Sequence, residues 1–594
     1  MAIPELLASA LADLPEDDRF ELLEGWVDRG GGAWSFRFRA RLSVPASEFM
    51  PEWSEWHLVV IAGCAKPDIH VYPDAARGIT AQFPHQAFNA EPKDAAAWRA
   101  GSPCLGRPVS AFRREGWSGE PAEFGYRVQW NIGRLFSWID AAAADRLIAD
   151  GDPIELPTPP SVVAGALGFR ETKEDLPWWK GTEHRWGFAT VVAIPGSMGT
   201  TVVVDFMDPQ LRSLRQVPWG PGIPTAPGRV DAVWIVMPVL VVGQPWRFPA
   251  TWEELAAYCS GASVDLPAIM ADAGAKLRHV ERPRKPVPQT LLVGFPMSEL
   301  HGAPAERMHW LAFDGMRTAR RADVRRGFSN RAGARREWDR AMAAEKRPLA
   351  YERTANWAPD QLRRRGEAEA AVRDSSMLIL GGGALGGALA ENLVRMGVSR
   401  IGVVDADRVG VGNLSRHVLS MRDAGWNKAT ALAKRLNRIM PDANVSDFGF
   451  AFPPPEDADR KKLDGWDVIV DCTAEDEVLR AMAEYPWDGV KVFVSLSMTW
   501  QARGLVAYAD EQASFPAVDA IERFVTFSDR PDEDRLGLME GIGCWHPVFP
   551  ASADDVQLWA AVGTKFVRRA VTERRRICEH FIQDAYGAVV RHEA

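Results

Sequence analysis

Met377-Leu-Ile-Leu-Gly-Gly-Gly-Ala-Leu-Gly-Gly387 is the most informative segment for predicting how the last third of this chain folds. Its four leading apolar residues predict a buried β-strand, and Ala388–Met396 predicts the helix that follows. The glycine motif between them, Gly381-x-Gly383-x-x-Gly386, permits a tight turn. It also lets backbone N–H groups approach phosphate oxygens at a helix N-terminus. The stretch therefore predicts a nucleotide site inside a parallel α/β sheet.

Strand and helix patterns continue to alternate after the glycine motif. Strands are predicted at Arg400–Val404, Val468–Val470 and Lys491–Leu496, and a helix at Ala429–Ile439. This alternation predicts a Rossmann-like sheet with crossover helices. Asp405 ends the second strand, about 20 residues beyond the motif, where a carboxylate can bond a ribose hydroxyl. By itself the pattern fits an NAD- or FAD-dependent oxidoreductase equally well.

Three polar side chains downstream favour a different chemistry. Asn413 and Arg416 lie in Gly412-Asn-Leu-Ser-Arg416, and Lys428 follows in Gly425-Trp-Asn-Lys428. A dinucleotide oxidoreductase has no need of this array. An enzyme that breaks a triphosphate does, because Arg and Lys neutralise phosphate charge and Asn positions one phosphate.

The segment Leu378–Ala507 resembles the ThiF-type adenylating enzymes, the superfamily of ubiquitin-activating enzymes. The resemblance implies ATP as the bound nucleotide, with Arg416 and Lys428 as catalytic residues at its phosphates. It also implies a homodimer, in which an arginine of the run Arg363–Arg365 reaches ATP. The implied ATP-binding residues are Gly381, Gly383, Gly386, Asp405, Asp407, Asn413, Arg416, Lys428 and Arg365.

The expected metal position departs from that family. After a strand the family has Asp-x-Thr-Asp-Asn, whose second aspartate binds Mg²⁺, whereas this chain reads Asp471-Cys-Thr-Ala474-Glu475-Asp476. Ala474 cannot ligate a metal, so the expectation is that Glu475, Asp476 or Asp407 supplies the carboxylate, or that metal binding is weaker. Mg²⁺ itself is expected because ATP chemistry needs its charge screened.

Cys544 lies in Gly541-Ile-Gly-Cys544-Trp-His546-Pro, where the glycines and the proline predict an exposed loop. A loop thiol beside His546 can attack a carbonyl. The plain alternative is a packed loop cysteine. In the ubiquitin-activating enzymes that the segment resembles, a cysteine follows the adenylation motifs and accepts the acyl group.

Cys104 lies in the N-terminal region, after the loop Phe83-Pro-His85-Gln86-Ala-Phe-Asn89. This arrangement looks like the ubiquitin-conjugating fold, in which a His-Pro-Asn loop precedes the catalytic cysteine. The resemblance implies catalytic roles for Cys104 and His85. The amide that would support an oxyanion stays open between Asn89 and Gln86, and a structural thiol is the alternative for Cys104.

The four other cysteines are expected to be structural: Cys64, Cys259, Cys472 and Cys578, the last on a basic helix over Val567–Phe581. No two of the six cysteines form a CxxC pair, which argues against a zinc ribbon. Residues 1–20 lack a secretory pattern, and no apolar run reaches the length of a membrane span. These features predict a cytoplasmic protein with no membrane partner.

The chain has 594 residues, which at roughly 100–200 residues per domain predicts several folding units. We expect an α+β ubiquitin-conjugating-like domain at 1–150, a β-rich linker domain at 151–318, and a ThiF-type adenylation domain at 319–594. In the first domain, helices are expected at 3–14, 127–139 and 141–148, and strands at 33–44 and 57–62. The net charge of −9 argues against general nucleic-acid binding.

The whole layout resembles the bacterial conjugating–activating fusion proteins of CBASS operons (cyclic-oligonucleotide-based anti-phage signalling). That resemblance implies a cGAS-like nucleotidyltransferase as the activated partner and a lysine as the acceptor. Acyl transfer would run through Cys544 and then Cys104. Three alternatives stay open: the same chemistry on a ubiquitin-like protein from another bacterial operon, a dinucleotide-dependent oxidoreductase, and a non-catalytic scaffold with a vestigial nucleotide site.

Overall fold

The chain divides into two compact units in a computed structural model. The first comprises residues 1–216 and 226–356, and the second comprises residues 217–225 and 357–594. The structure describes residues 3–12, 14, 16–62, 67–92, 96–106, 120–280, 290–319, 331–398, 400–527, 551–584 and 586–592.

The N-terminal part of the first unit is an antiparallel sheet of four strands in sequence order, with two helices. Alternate residues of the third strand, Trp56 and Leu58 among them, are fully buried and join a core that includes Trp138. The arrangement is α+β. The elements are α1 (Ile3–Ala12), β1 (Phe20–Gly30), β2 (Ala33–Arg41), β3 (Trp53–Ile61), β4 (Asp68–Pro73) and α2 (Phe124–Ala143).

Two predictions for this part differ from the structure. One continuous helix, α2, replaces the two helices expected at 127–139 and 141–148, because apolar side chains recur on one buried face throughout its length. Strand β1 was not expected at all. Most of its residues are exposed or half-buried, so its sequence lacks the apolar run that marks a buried strand.

The central part of the first unit is an eight-stranded mixed sheet, in the order β5-β12-β11-β10-β9-β6-β7-β8, with a further pairing of β5 with β7. Its strands are β5 (Val162–Phe169), β6 (Trp186–Ala193), β7 (Thr200–Met207), β8 (Ser213–Gln216), β9 (Ala232–Val236), β10 (Thr290–Met297), β11 (Arg307–Asp314) and β12 (Ala350–Asn356). Its helices are α3 (Asp175–Gly181), α4 (Trp252–Gly261), α5 (Leu266–Val280) and α6 (Ala332–Met342).

Strand β12 bears on the expected domain boundary at residue 318. It pairs with β11 on one side and β5 on the other, so it is an interior strand of the central sheet. The first compact unit accordingly extends to Asn356. The three-part division at 150 and 318 stays a prediction, and the structure adds that residues 350–356 pair within the central sheet.

One half-buried imidazole lies on an interior strand of this central sheet. His309, on β11, has the ring of Phe169 at 5.3 Å and that of Phe295 at 5.5 Å between centroids. Burial among these rings lowers the pKa of His309 to about 4, because the low-dielectric surroundings disfavour the imidazolium.

The second unit contains an eight-stranded sheet in the order β15-β14-β13-β16-β17-β18-β19-β20. The first five strands of this order are parallel and the remaining pairings are antiparallel. The strands are β13 (Ser376–Leu380), β14 (Arg400–Val404), β15 (Asn444–Phe448), β16 (Val468–Asp471), β17 (Lys491–Met498), β18 (Gly504–Gln512), β19 (Ile577–Gln583) and β20 (Val589–His592).

Helices cover both faces of this sheet, as a doubly wound fold requires. They are α7 (Pro359–Leu362), α8 (Ala370–Arg373), α9 (Ala384–Met396), α10 (Lys428–Leu436), α11 (Asp457–Arg460), α12 (Asp476–Glu484), α13 (Ala517–Phe527) and α14 (Ala553–Glu573). Helices α9, α10 and α14 contribute to one hydrophobic core, and α12 and α13 contribute to another. The expected α/β order of the C-terminal domain is confirmed.

The basic helix expected over Val567–Phe581 is wrong. Helix α14 ends at Glu573, and Arg574 then adopts a left-handed backbone with φ of 47°. The following residues form strand β19, which pairs with β18, so Cys578 lies on a strand.

None of the helices that the structure describes is both long enough and apolar enough to cross a lipid bilayer.

Candidate functional site: a phosphate cleft and an exposed thiol

The strand order reverses at β13. Strands β14 and β15 lie on one side of it, and β16 and β17 lie on the other. A crevice opens outside the carboxyl ends of the strands at such a point. In this unit a cleft of about 330 Å³ lies there, between the start of α9 and the residues that follow β16. We call it the phosphate cleft; it is lined by Gly383, Ala384, Leu385, Asn413, Arg416, His417, Lys428, Cys472, Thr473, Ala474, Leu496 and Met498.

The glycine turn forms one wall of the phosphate cleft. Gly381 has a left-handed φ of 90°, and its N–H donates to the carbonyl of Val404. A Cβ on Gly386 would lie 2.0 Å from the carbonyl oxygen of Gly381, so this position accepts glycine alone. Gly383 is the N-cap of α9 and has no side chain to cap the helix. The first N–H groups of α9 are therefore left for a ligand, and the helix dipole favours an anion there.

Asp405 supports this turn from the end of β14. Its carboxylate accepts hydrogen bonds from the backbone N–H of Gly382 at 2.9 Å and of Asp407 at 2.8 Å. Burial raises the pKa of Asp405, although these N–H donors and Lys428 act in the opposite direction. Asp405 does not line the phosphate cleft itself. Its contact with the ATP ribose therefore stays a prediction, as does that of Asp407 with ATP.

Lys428 provides positive charge on the opposite wall. It is the first residue of α10, and its Nζ lies 2.8 Å from Oδ2 of Asp407. Its side chain is 14% exposed, whereas that of Asp407 is 73% exposed. The ammonium is thus held at the cleft by a largely solvated carboxylate, which can yield to a phosphate without leaving a buried charge unpaired.

Asn413 and Arg416 complete the polar lining. Asn413 lies in the 3₁₀ turn Val411–Ser415, where its Oδ1 accepts from the backbone N–H of Gly410 at 2.9 Å. Arg416 directly follows that turn. Uncapped N–H groups, a guanidinium, an ammonium and an amide therefore converge on one cleft, and this donor set fits a triphosphate.

His417, which lines the phosphate cleft, positions the residues around it. Its Nδ1 accepts from the N–H of Leu419 at 3.2 Å, so Nε2 carries the hydrogen and donates to the carbonyl of Gly382 at 2.8 Å. Burial lowers the pKa of His417 and keeps the ring neutral near pH 7. His417 thus ties the segment carrying Arg416 to the glycine turn.

Sequence reasoning missed Asn427. Its Oδ1 caps α10 by accepting from the N–H of Thr430, and its Nδ2 donates to the carbonyls of Asp405 and Asp407. These bonds fix where α10 begins and so where Lys428 projects. An Asn directly before a helical pattern is an N-cap signal that could have located it.

The expected metal carboxylates are not gathered into a cluster. Among the described residues, no three His, Cys, Asp or Glu side chains lie together as a metal site would need. Asp471 is buried, and its oxygens accept from the hydroxyls of Thr473 at 2.6 Å and Ser495 at 2.7 Å. Glu475 and Asp476 are exposed at the start of α12. Any metal ion here would depend on phosphate oxygens for much of its coordination.

Ala474 occupies the expected metal position in a left-handed conformation, with φ of 58°. Such a backbone costs on the order of 1 kcal/mol for a residue that carries a Cβ. The adjacent Thr473 holds the bend, because its hydroxyl donates to Asp471 and accepts from the N–H of Glu475 at 3.3 Å. The loop thus keeps a fixed shape although the aspartate is absent.

The arginines of the run Arg363–Arg365, before β13, have different surroundings. Arg363 is buried and forms a two-pronged ion pair with Asp442, at 2.7 and 2.9 Å, so it is a structural residue of this unit. Arg365 is exposed, and neither arginine lines the phosphate cleft. A contact of Arg365 with ATP stays a prediction.

The second candidate site is the thiol of Cys104 in the first unit. Cys104 is exposed, so the alternative of a buried structural thiol does not apply. Its backbone N–H donates to the carbonyl of His85 at 2.7 Å, next to an antiparallel bridge between Gln86 and Pro103. His85 therefore lies directly opposite Cys104 across two paired segments.

The two amides considered for oxyanion support are both engaged elsewhere. Gln86 is buried; its Oε1 accepts from the N–H of Phe83, and its Nε2 donates to the carbonyl of Gly101, each at 2.9 Å. Asn89 is also buried, and its Nδ2 donates to the carbonyls of Ile79 and Ala81. Both side chains shape the loop before Cys104.

Cys544 and His546 lie outside the residues that the structure describes, and so does Cys64. Of the other thiols, Cys259 is buried in α4, where burial raises its pKa to about 12. Burial also raises the pKa of Cys472 and of Cys578. These three thiols are poor nucleophiles near neutral pH.

Comparison with known proteins first defines the class. Residues 359–502 match the ThiF family, and residues 145–357 match the family of the Cap2 central linker domain. Part of the chain is also 40% identical over 80 residues to the sulfur carrier protein adenylyltransferase of Thermus thermophilus, covering 13% of this chain and 30% of that protein. The phosphate cleft therefore belongs to an ATP-using adenylating enzyme of the ThiF class.

Nearly the whole chain has a named relative. It is 42% identical over 589 residues to the ATP-dependent ubiquitin transferase-like protein Cap2 of Enterobacter hormaechei subsp. hoffmannii, covering 99% of this chain and 98% of that protein. The chain therefore belongs to the Cap2 family of ATP-dependent ubiquitin transferase-like proteins. The resemblance drawn from the sequence is confirmed at this level, and the chain is a ubiquitin-activating and ubiquitin-conjugating-like transferase.

A solved structure adds a distant likeness. The crystal structure of E. coli MccB with AMPCPP and MccA is 15% identical, with a TM-score of 0.27, over 38% of this chain and 64% of that chain. The likeness is too distant to bear on the site.

Proposed function

We propose that this protein uses ATP to activate the C-terminal carboxylate of a partner protein and joins that carboxylate to a lysine amine. The acyl group passes through Cys544 and then Cys104. The single observation that carries this proposal is that one chain of the Cap2 family holds both a cleft lined by phosphate-binding donor groups and an exposed thiol opposite a histidine.

The first step is adenylation. A carboxylate oxygen of the partner attacks the α-phosphorus of ATP, and pyrophosphate leaves with the electrons of the broken P–O bond. Arg416 and Lys428 counter the charge that develops on the phosphates, and the N–H groups at Gly383 hold one phosphate. Asn413 and Arg365 are proposed to contact the nucleotide, and Asp405 its ribose.

Mg²⁺ is proposed to accompany ATP, because two or more phosphate charges need screening. Asp407, Glu475 and Asp476 are the proposed carboxylate ligands. Asp407 lies beside Lys428 of the cleft lining, and Glu475 and Asp476 lie at the start of α12.

The remaining steps are acyl transfers. The Cys544 thiolate attacks the acyl carbon, and AMP leaves. The Cys104 thiolate then attacks the same carbon, and the Cys544 thiolate leaves. Finally a lysine nitrogen attacks, the C–N bond of an isopeptide forms, and the Cys104 thiolate leaves. Each thioester conserves the activation that ATP supplied.

The resemblance to fusion proteins of CBASS operons supports a cGAS-like nucleotidyltransferase as the partner, primed in anti-phage defence. A ubiquitin-like protein from another operon is the competing partner for the same chemistry. Membership of the Cap2 family disfavours the oxidoreductase alternative. We further propose a cytoplasmic homodimer, with an N-terminal domain of the ubiquitin-conjugating type and no nucleic-acid or membrane partner.

The test uses the nucleotidyltransferase encoded in the same operon, ATP and nonreducing gels. Cys544→Ala is expected to abolish every thioester while ATP–pyrophosphate exchange continues at the wild-type rate. A thioester that persists in this variant would refute the role of Cys544. A ubiquitin-like protein in place of the nucleotidyltransferase should give no thioester, and the reverse result would reassign the partner.

A further inference from the structure

His85 has an unexpected partner from the segment that precedes the central sheet. Its Nδ1 lies 2.6 Å from Oε2 of Glu155. Glu155 lies in the part of the chain that matches the Cap2 central linker domain. A carboxylate of the linker region therefore contacts the histidine opposite Cys104.

Hydrogen bonds of neighbouring residues position the segment that carries Glu155. The preceding residue, Ile154, donates its N–H to the carbonyl of Glu299 at 2.9 Å. On the other side, the hydroxyl of Thr158 donates to the carbonyl of Gln86 at 3.2 Å. The segment carrying the carboxylate is thus bonded both to the central sheet and to the histidine loop.

The contact is held equally from the side of His85. The side chain of Gln86 and the N–H of Cys104 fix the loop on either side of the imidazole. The backbone of His85 has a left-handed φ of 54°, which costs about 1 kcal/mol or more and persists where the surroundings impose it. The hydrogen bond from the N–H of Cys104 to the carbonyl of His85 places these two residues opposite each other in neighbouring segments.

Stability does not explain such a pair. The side chains of His85 and Glu155 are 40% and 51% exposed, and ion pairs with this much solvent contact contribute roughly 0–1 kcal/mol to folding. We therefore consider the effect of the pair on the orientation of the His85 imidazole. Nδ1 is the ring nitrogen next to the carboxylate, which leaves Nε2 for the reaction, and no described residue bonds to that atom.

We propose that Glu155 is a positioning residue that holds His85 ready to take the proton of the attacking lysine amine at Cys104. The inference rests on the proposed function. The lysine nitrogen bonds to the thioester carbon, and its proton passes to Nε2 of His85. The C–S bond breaks, Sγ of Cys104 leaves with the electron pair, and the proton then returns from Nε2 to Sγ. The linker region thereby becomes part of the conjugating site.

The test measures two steps separately: formation of the thioester on Cys104 (charging) and transfer of the acyl group from Cys104 to an amine (discharge). The nucleotidyltransferase of the same operon is loaded onto Cys104 with ATP, ATP is removed, and free lysine is added. Glu155→Ala is expected to charge like wild type and to discharge about tenfold or more slowly, in the range of lost proton-transfer catalysis. Glu155→Gln, whose amide oxygen can still accept from Nδ1–H, should recover most of the rate.

A matched control exists in the same unit. His301 and Asp150 form a similar exposed pair, 3.2 Å apart, and no hydrogen bond or ion pair among the described residues joins either side chain to His85 or Cys104. Asp150→Ala should leave discharge unchanged. Wild-type discharge in Glu155→Ala would overturn the inference, as would a variant that fails at charging. If wild-type protein forms no thioester on Cys104, the proposed function fails and this inference with it.

Discussion

Lys428 shows how a single residue depends on its helix for function. Its ammonium reaches the phosphate cleft because Asn427 caps α10 and so fixes the first helical residue. The chemical type of the cleft residues was predictable from the sequence, because glycine, arginine and lysine at these spacings suit a phosphate site. Of the two residues that position them, Asn427 could have been located from its place directly before a helix, whereas His417 acts through a contact between distant segments and could not.

Lys428→Ala is expected to lower ATP–pyrophosphate exchange by about 10²–10³-fold, because a preorganised charge at the phosphates is lost. Lys434→Ala is the control. Lys434 lies on the same helix, but its Nζ lies 3.7 Å from the ring centroid of Trp426, outside the phosphate cleft. Equal exchange rates in the two variants would contradict the assignment of Lys428.

At the junction between β13 and α9, one glycine position leaves no room for a side chain. Gly386→Ala would place a methyl group 2.0 Å from the carbonyl of Gly381, whereas a Cβ on Gly383 would meet no atom within 4 Å. We expect Gly386→Ala to destabilise the second unit by about 1–3 kcal/mol, the cost of overpacking. Gly383→Ala should melt like wild type. Thermal unfolding distinguishes the two, and equal melting temperatures would refute the steric argument.

The central sheet should weaken in acid through β11. His309 has a folded pKa of about 4 and an ordinary unfolded value near 6.5, so the unfolded chain binds more protons between these values. Stability is therefore lost as pH falls from 6.5 toward 4, by about 2 kcal/mol at pH 5. His309→Phe should show a flatter fall in melting temperature over this range, whereas the exposed His279→Gln should follow wild type. Parallel curves for His309→Phe and wild type would contradict this.

The elements themselves were unequally predictable. Four of the five parallel strands of the second unit, β13, β14, β16 and β17, are largely apolar runs, so composition located them. Every residue of β13 and β16 is buried. Strands β1 and β15 and the end of α14 escaped prediction. Both strands are largely exposed and carry charged side chains, and α14 ends at Glu573 without a glycine or proline to mark its end.

At the scale of the whole molecule, the proposed relay requires two thiols in one polypeptide. Cys104→Ala is expected to leave pyrophosphate exchange intact, to trap the acyl group on Cys544, and to abolish isopeptide formation. Nonreducing and reducing gels with the nucleotidyltransferase measure both species. Cys578→Ala, which removes a thiol from β19, should behave like wild type. Isopeptide formation by Cys104→Ala would reject the relay.

The segment Val217–Thr225 has a consequence for dissecting this protein. This segment belongs to the second unit, which contains the phosphate cleft, although the residues on both sides of it in the sequence belong to the first unit. Gly220 donates to the carbonyl of Pro441, and Gly222 packs so closely that a Cβ would lie 1.7 Å from the carbonyl of Asn437. A fragment that starts at Trp357 would therefore lack a segment that packs against residues of the same unit. An autonomous adenylating module would need this loop supplied from elsewhere, so a simple truncation between the two activities would not yield two intact halves.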